Sequence, residues 1–120
     1  MNKYIILIIT NLCLIFNSCS NEKKYKEYSI NDLSKPITDT LKGDNKNRVI
    51  GVEVVISGEI NGEATLEFEN GSGRVSKIDL KGKINQTYET EWYSPDLTFR
   101  YTPIMEAIQG DSIKLKYRMY

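Results

Sequence analysis

Apolar residues occupy every second position in several stretches of the chain between Arg48 and Tyr120. Alternation of apolar and polar side chains is typical of a β-strand with one buried face and one face in water. The pattern predicts an all-β domain over residues 48–120. The stretches that alternate place the following residues on predicted inner faces: Ile50, Val52, Val54 and Ile56; Ala64, Leu66 and Phe68; Ile78, Leu80 and Ile84; Tyr88, Thr90 and Trp92; Leu97, Phe99 and Tyr101; Ile113, Leu115, Tyr117 and Met119.

Short segments of turn-forming residues separate these stretches. Asn61–Gly62 predicts a two-residue β-hairpin, because a type I′ turn needs positive φ angles at both central positions. Asn70–Gly73 and Ser94–Asp96 predict further turns, and Gly82 predicts a bulge or a break in a strand. Strands joined by short turns pair in antiparallel fashion. The predicted fold is therefore a small antiparallel β-sandwich or barrel of six to seven strands.

The segment before Arg48 has a different composition. Residues 20–47 are polar and carry charges of both signs, and their few apolar residues are widely spaced. Such a segment buries too little apolar surface to offset the entropy lost on ordering. We therefore expect residues 19–47 to be a flexible tether and residues 48–120 to fold without it.

An apolar stretch precedes the predicted tether. Lys3 is followed by mainly Ile and Leu from Tyr4 to Phe16, which is too short a run to span a bilayer as a helix of about 20 residues. A positive charge followed by a short apolar region is typical of an export signal peptide. Cys19 follows the small residue Ser18 at the point where the chain turns polar.

The four residues that end at Cys19, Phe-Asn-Ser-Cys, resemble the lipobox of bacterial lipoproteins, in the relaxed form that is similar to those of Bacteroidota. Phe16 and Asn17 depart from the usual pattern, which has leucine and a small residue at these positions. The resemblance implies that residues 1–18 are a lipoprotein signal peptide and that Cys19 becomes the acylated N-terminus. Its acyl chains would anchor the protein in a membrane of the bacterial cell envelope. The alternative is a conventional cleavage that leaves Cys19 as a free thiol.

The amino-acid composition limits which partners and which catalytic or metal-binding groups the predicted domain can have. Acidic and basic residues balance at 16 each, which argues against nucleic acid as a partner. Histidine is absent, so the commonest general base and transition-metal ligand are missing. The two cysteines, Cys13 and Cys19, both precede the domain, and Cys13 is interpreted as an ordinary small apolar residue of the signal. We expect no cofactor, no metal site and no catalytic residue.

Tyr93 is the candidate partner-binding residue. Adjacent residues of a strand face opposite sides, so a core position for Trp92 places Tyr93 on the outside. An exposed aromatic ring there could stack on a sugar or on a protein surface. The competing interpretation is that a loop covers Tyr93.

Charged residues occupy the predicted outer positions. Paired carboxylates can hydrolyse glycosides when they flank a cleft. Their outward alternation instead favours a solvated face, on which basic residues of the last strand pair with glutamates across strands. The residues concerned are Glu53, Glu59, Glu63, Glu67 and Glu69, with Lys114, Lys116 and Arg118 as the basic stripe.

Two classes of function fit these observations. The first is a cell-envelope lipoprotein whose non-catalytic β-domain binds a protein or glycan partner or has a structural role. The alternative is a lipid-anchored protein inhibitor of the immunity or lysozyme-inhibitor type. An inhibitor should present a protruding acidic or aromatic loop, whereas a glycan module should show an aromatic platform.

Overall fold

The computed structural model describes residues 23–44, 48–69, 73–104 and 109–120. Within these ranges every regular element is a β-strand, and the seven strands form one antiparallel sheet. The predicted all-β, antiparallel fold of six to seven strands is confirmed. The strands are β1 (Lys26–Ile30), β2 (Ile37–Lys42), β3 (Gly51–Glu69), β4 (Val75–Glu91), β5 (Asp96–Pro103), β6 (Gln109–Gly110) and β7 (Ile113–Met119).

A long ribbon of β3 and β4 runs through the whole sheet. One edge of β3 pairs with β4, while its other edge pairs in turn with β7 over residues 52–57, β6 over 60–61 and β5 over 64–68. β1 extends the sheet beyond β7, and β2 extends it beyond β5. The sheet thereby folds into two layers. One layer holds β1, β7 and the first half of β3; the other holds β2, β5 and the second half of β3.

Aromatic contacts join the two layers. The Tyr28 ring of β1 meets the Phe99 ring of β5 edge to face, with centroids 5.0 Å apart. The Tyr28 hydroxyl donates a hydrogen bond to Asp39 of β2 at 2.6 Å. Elsewhere the rings of Phe68 and Tyr88 stack with centroids 4.6 Å apart. The two ends of the sheet therefore come together, and the sandwich is nearly closed into a barrel.

The core lies between the layers and consists mainly of predicted inner residues, joined by Ile30, Leu33, Leu41, Val49 and Ile60. Leu97, Phe99 and Tyr101 of β5 and the alternating apolar residues of β7 are buried, as the pattern predicted. Trp92, which follows β4, is also buried, and its indole N–H donates to the Asp96 carbonyl at 2.9 Å. Every buried side-chain nitrogen or oxygen of the described residues has a hydrogen-bond partner.

The prediction of a flexible tether over residues 19–47 is wrong for residues 26–42. β1 pairs with β7, and β2 pairs with β5. Ile30, Leu33 and Leu41 are buried in the core, and the Tyr101 hydroxyl donates to the Leu33 carbonyl at 2.8 Å. Few apolar residues suffice because each strand ends the sheet and packs on a core that later residues supply. The domain therefore includes β1 and does not begin at Arg48.

Asn61–Gly62 does not form the predicted hairpin. These two residues lie inside β3, where they interrupt the pairing with β4 between Ile60 and Glu63. Gly62 has a φ of 116° and Gly82, on the facing strand, a φ of 60°. Gly62 therefore forms part of a β-bulge in the ribbon. A bulge of this kind needs a residue with positive φ, as a turn does, and so the same sequence signal suits both. The first two predicted strands are consequently one strand, β3, and the next two are β4.

Ile50 faces solvent, although the alternation predicted an inner position beside Val52. Its side chain is 52% exposed. The backbone N–H groups of Ile50 and Gly51 both donate to the Tyr120 carbonyl, at 2.7 and 2.9 Å. Ile50 and Gly51 therefore both lie opposite Tyr120, which is the pattern of a β-bulge. The bulge shifts the alternation of inward and outward side chains by one position.

Several predictions concern residues outside the described ranges. They are the signal peptide of residues 1–18, Cys13, Cys19 and most of the turn at Asn70–Gly73. Glu69 and Val75, on either side of that turn, are paired across β3 and β4. In the described part of the chain, no helix has the length and apolar character needed to cross a membrane.

Candidate functional site

Tyrosine and charged side chains collect on the outer face of the layer that contains β1 and β7. Strand pairing places Glu53 of β3 between Arg118 of β7 and Glu89 of β4. Each lies between core-facing neighbours, so the alternation directs it outward. Tyr25, directly before β1, and Tyr120, directly after β7, complete a group that we call the outer cluster.

The Glu53 carboxylate is the centre of the outer cluster. Arg118 donates to its Oε2 from Nε at 3.0 Å and from Nη2 at 2.8 Å. The Tyr25 hydroxyl donates to its Oε1 at 2.8 Å. Desolvation raises the pKa of this 9% exposed residue, but the hydrogen bonds from Tyr25 and Arg118 outweigh it and hold the pKa of Glu53 below its usual value. Glu53 is therefore an ionised and paired carboxylate at neutral pH.

Two tyrosine rings flank the Arg118 guanidinium. Its Cζ lies 4.3 Å from the centroid of the Tyr120 ring and 5.8 Å from that of the Tyr25 ring. Both distances suit a cation–π interaction. The Tyr120 hydroxyl donates to Glu89 Oε1 at 2.7 Å, and this hydrogen bond raises the pKa of Tyr120. The hydrogen bond to Glu53 likewise raises the pKa of Tyr25, so both phenols remain protonated donors.

Gly51 lets the Tyr120 ring lie directly against the sheet. A Cβ atom on Gly51 would be 2.6 Å from Cζ of that ring, so any side chain there would displace the ring from this position. Backbone bonds between Gly51 and Tyr120 run in both directions, at 2.9 and 3.0 Å. The close approach orients the phenol toward Glu89 and its face toward Arg118.

A basic cleft of about 440 Å³ opens beside the outer cluster. Lys26 pairs with Asp44 at 2.9 Å, and Arg118 is matched by Glu53. Lys23 and Lys24 add further positive charge, so the cleft carries an excess of cations. Its lining consists of Lys23, Lys24, Lys26, Gly43, Asp44, Tyr117, Arg118, Met119 and Tyr120.

Tyr93 lies on the outside of the sandwich, as predicted from the core position of its neighbour Trp92. The side chain is 75% exposed, so no described loop covers it. Its hydroxyl donates to Glu91 Oε2 at 3.3 Å. By alternation Tyr93 shares the outer face with Glu89 and Glu91 of β4. A binding role for Tyr93 stays a prediction.

The predicted pairing of the basic stripe with glutamates is confirmed at two positions. Arg118 pairs with Glu53, and Lys116 pairs with Glu27 at 3.8 Å. Glu27 belongs to β1, which the composition had assigned to a tether. Among residues 23–44, 48–69, 73–104 and 109–120, no group of three His, Cys, Asp or Glu residues is placed to hold a metal ion.

Sequence reasoning missed most of the residues that build this site. Lys23, Lys24 and Tyr25 stood in the predicted tether, and Tyr120 had no role. A local signal exists in the tyrosine and lysines that directly precede β1. Only strand pairing brings them to β7.

Comparisons with known proteins add little to this description. No family model matches the chain, and no curated protein matches it. Among solved structures the chain is similar to one titled "Crystal structure of PirA", with a TM-score of 0.42 and 10% identity over 87% of this chain and 100% of that chain. A likeness this weak supports no inference about function.

Proposed function

We propose that the protein is a cell-envelope lipoprotein, anchored through an acylated Cys19, whose non-catalytic β-domain binds an acidic glycan of the envelope. The observation that carries the proposal is the basic cleft, which Lys23, Lys24 and Tyr120 line together. Ammonium groups attract the carboxylate or phosphate groups of an acidic glycan. An aromatic ring offers an apolar surface to the face of a sugar, and a few polar groups fix its orientation.

The position of the cleft in the chain suits an anchored protein. Residues 20–25 separate Cys19 from β1. An extended chain spans at most about 3.6 Å per residue, so an anchor at Cys19 would hold β1 within about 25 Å of the membrane. The cleft, lined by Lys23, Lys24 and Lys26, would then open close to the bilayer surface and meet molecules of the envelope there.

The electrostatics of Glu53 do not suit the general acid of a glycosidase. A glycosidase needs one carboxyl group with a raised pKa to act as a general acid. The pKa of Glu53 is instead lowered, since Tyr25 and Arg118 stabilise the anion. Glu53 is therefore poorly suited to protonate a leaving group, which agrees with the proposal of a non-catalytic domain.

The inhibitor alternative has lost the feature that would have favoured it. That feature was the glutamate-rich hairpin predicted around Asn61–Gly62, and these residues lie within β3. Isolation of the protein in a tight complex with one envelope enzyme would make the inhibitor the better proposal.

The glycan proposal is tested with the full chain in detergent. Binding to an acidic polysaccharide should weaken about tenfold or more when Lys23 and Lys24 are both replaced by Gln, since two charges of the cleft are removed. Replacement of Lys77 and Lys81 by Gln, the same charge change on β4, is the matched control and should have no effect. Equal loss in both variants would indicate unspecific charge attraction and contradict the proposal.

Tyr120 tests the aromatic part of the site. Tyr120→Leu keeps an apolar side chain but removes the ring, so affinity should fall while the lysines remain. A neutral polysaccharide should bind weakly to every variant. If Tyr120→Leu binds the acidic polysaccharide as well as the wild type does, the ring makes no contact with the sugar.

A further inference from the structure

One edge of β4 lacks a partner strand among the described residues. β4 spans Val75–Glu91 and pairs with β3 alone. Unpaired edges expose N–H and C=O groups, and proteins usually protect them with Lys, Pro, bulges or short length. The half of β4 from residue 84 to 91 contains no Lys, Pro or Gly and is rich in Thr, Gln and Asn. This half of the edge is therefore open to strand addition.

The pairing of β3 identifies the free backbone groups. Gly51 exchanges both backbone bonds with Tyr120, so it faces β7 and its neighbour Val52 faces β4. Along an antiparallel ladder this orientation alternates. The partners of Val52, Val54 and Ile56 in the ladder are the even-numbered residues of β4. Asn85, Thr87 and Glu89 consequently direct their N–H and C=O groups outward.

We propose that residues Lys83–Glu89 pair antiparallel with the same segment of a second copy of the chain, about a two-fold axis at Gln86. In this register Asn85 faces Thr87 and Lys83 faces Glu89, through backbone groups that point outward in both copies. Symmetry repeats each pair. Each copy therefore supplies one cation and one anion to two cross-strand ion pairs on the outer face.

Charge selects this register over its neighbours. An axis at Thr87 pairs Lys83 with Glu91 but leaves Glu89 opposite Asn85, and an axis at Asn85 pairs Glu89 with Lys81 but leaves Lys83 opposite Thr87. In both cases a charge of the pair loses its counter-ion. Only the axis at Gln86 matches Lys83 and Glu89 to each other, and opposite charges directly across a ladder stabilise the pairing.

The surroundings of Glu89 favour a cation at this point. Within the monomer Glu89 lies opposite Glu53 in the β3–β4 ladder. Arg118 matches the charge of Glu53, while Glu89 accepts its hydrogen bond from the neutral Tyr120 hydroxyl. The ammonium of Lys83 from the second copy would supply the missing counter-charge.

The inner side of the edge is complementary as well. The same register places Ile84 opposite Tyr88 at positions where antiparallel strands approach most closely. Ile84 is buried and Tyr88 is half-buried against Phe68. Pairing would cover the exposed part of Tyr88. It would also join strands β1, β7, β3 and β4 of one copy to the same four strands of the second copy in one continuous sheet.

Disulfide trapping in the envelope tests the axis. Gln86→Cys in the full chain should form a covalent dimer with copper–phenanthroline, since Cα atoms at such a pair lie about 4.5 Å apart, within disulfide range. Two controls should give no dimer. One is Lys77→Cys, at an exposed position on the same strand, and the other is the wild type, which contains Cys13 and Cys19. A Gln86→Cys protein that stays monomeric, or a Lys77→Cys protein that links equally well, would overturn the proposal.

Charge reversal in the Gln86→Cys background tests the register. Lys83→Glu and Glu89→Lys each place like charges opposite at two points, so each should lower the dimer yield about tenfold. Co-expression of the two variants restores both ion pairs in a mixed dimer, and the yield should recover. Unchanged yields for the single reversals, or no recovery in the mixture, would refute the register.

A separate variant guards against misfolding as the cause of a lost dimer. Thr87→Pro removes an outward N–H but no hydrogen bond to β3, so the thermal midpoint should stay close to that of wild type while the dimer is lost. Retention of the Gln86→Cys dimer in this variant would show that the copies do not meet through this edge. Crosslinking of Gln86→Cys to a different protein would equally reject a second copy as the occupant.

Discussion

Leu41→Ala measures whether the N-terminal strands belong to the cooperative domain. Leu41 lies on β2, opposite Leu97 of β5, and its side chain has 0% exposure. Truncating a fully buried leucine removes its transfer free energy and leaves a cavity, at a cost of about 3–5 kcal/mol. A domain of this size has about 5–15 kcal/mol of stability. Each kcal/mol lowers the thermal midpoint by about 4–8 °C, so we expect a drop of at least about 12 °C.

The assay uses the single tryptophan of the chain. Trp92 lies in the core, so its fluorescence reports global unfolding in urea or on heating. Ile104→Ala, at a side chain that is 57% exposed, is the matched control and should change stability by less than about 0.5 kcal/mol. If Leu41→Ala unfolds like the wild type, residues 26–42 are not part of the folded unit and the sandwich has been assigned wrongly.

Three further predictions concern the core, the outer cluster and the anchor. Trp92→Ala should cost about 3–5 kcal/mol through lost burial, measured by circular dichroism in urea; a variant that keeps its stability would remove Trp92 from the core. Glu53→Gln leaves Arg118 without its counter-ion and should cost about 1–3 kcal/mol at neutral pH. Because the folded-state pKa of Glu53 is lowered, its stabilisation is complete above the unfolded-state pKa and is lost as pH falls through the folded-state pKa, so urea midpoints of variant and wild type should converge in acid. Cys19→Ala should abolish acylation and signal removal, whereas Cys13→Ala should change nothing; mass spectrometry of the N-terminus decides, and an unmodified wild-type N-terminus beyond Cys19 would reject the lipoprotein.

The alternation of apolar residues was sufficient to predict β5 and β7 and the faces that they bury. Residues Leu97–Tyr101 and Ile113–Met119 follow a strict period of two, which is a local property of a half-buried strand. The core position of Trp92 and the exposure of Tyr93 follow from the same rule. All-β architecture and antiparallel pairing could therefore be read from the chain without knowing which strands are neighbours.

Pairing between strands that are distant in the chain decided the N-terminal strands, the continuity of β3 and the outer cluster. β1 and β2 contain few apolar residues, and they become strands because β7 and β5 offer them free edges. Asn61–Gly62 carries the positive-φ signal of a turn, yet β3 continues through it because β7, β6 and β5 pair one after another along the same edge. The outer cluster joins Tyr25, Glu53 and Arg118 from distant parts of the chain. Contacts of this kind depend on which strands become neighbours, and neighbour choice is set by the free energy of the whole sheet rather than by any local sequence period.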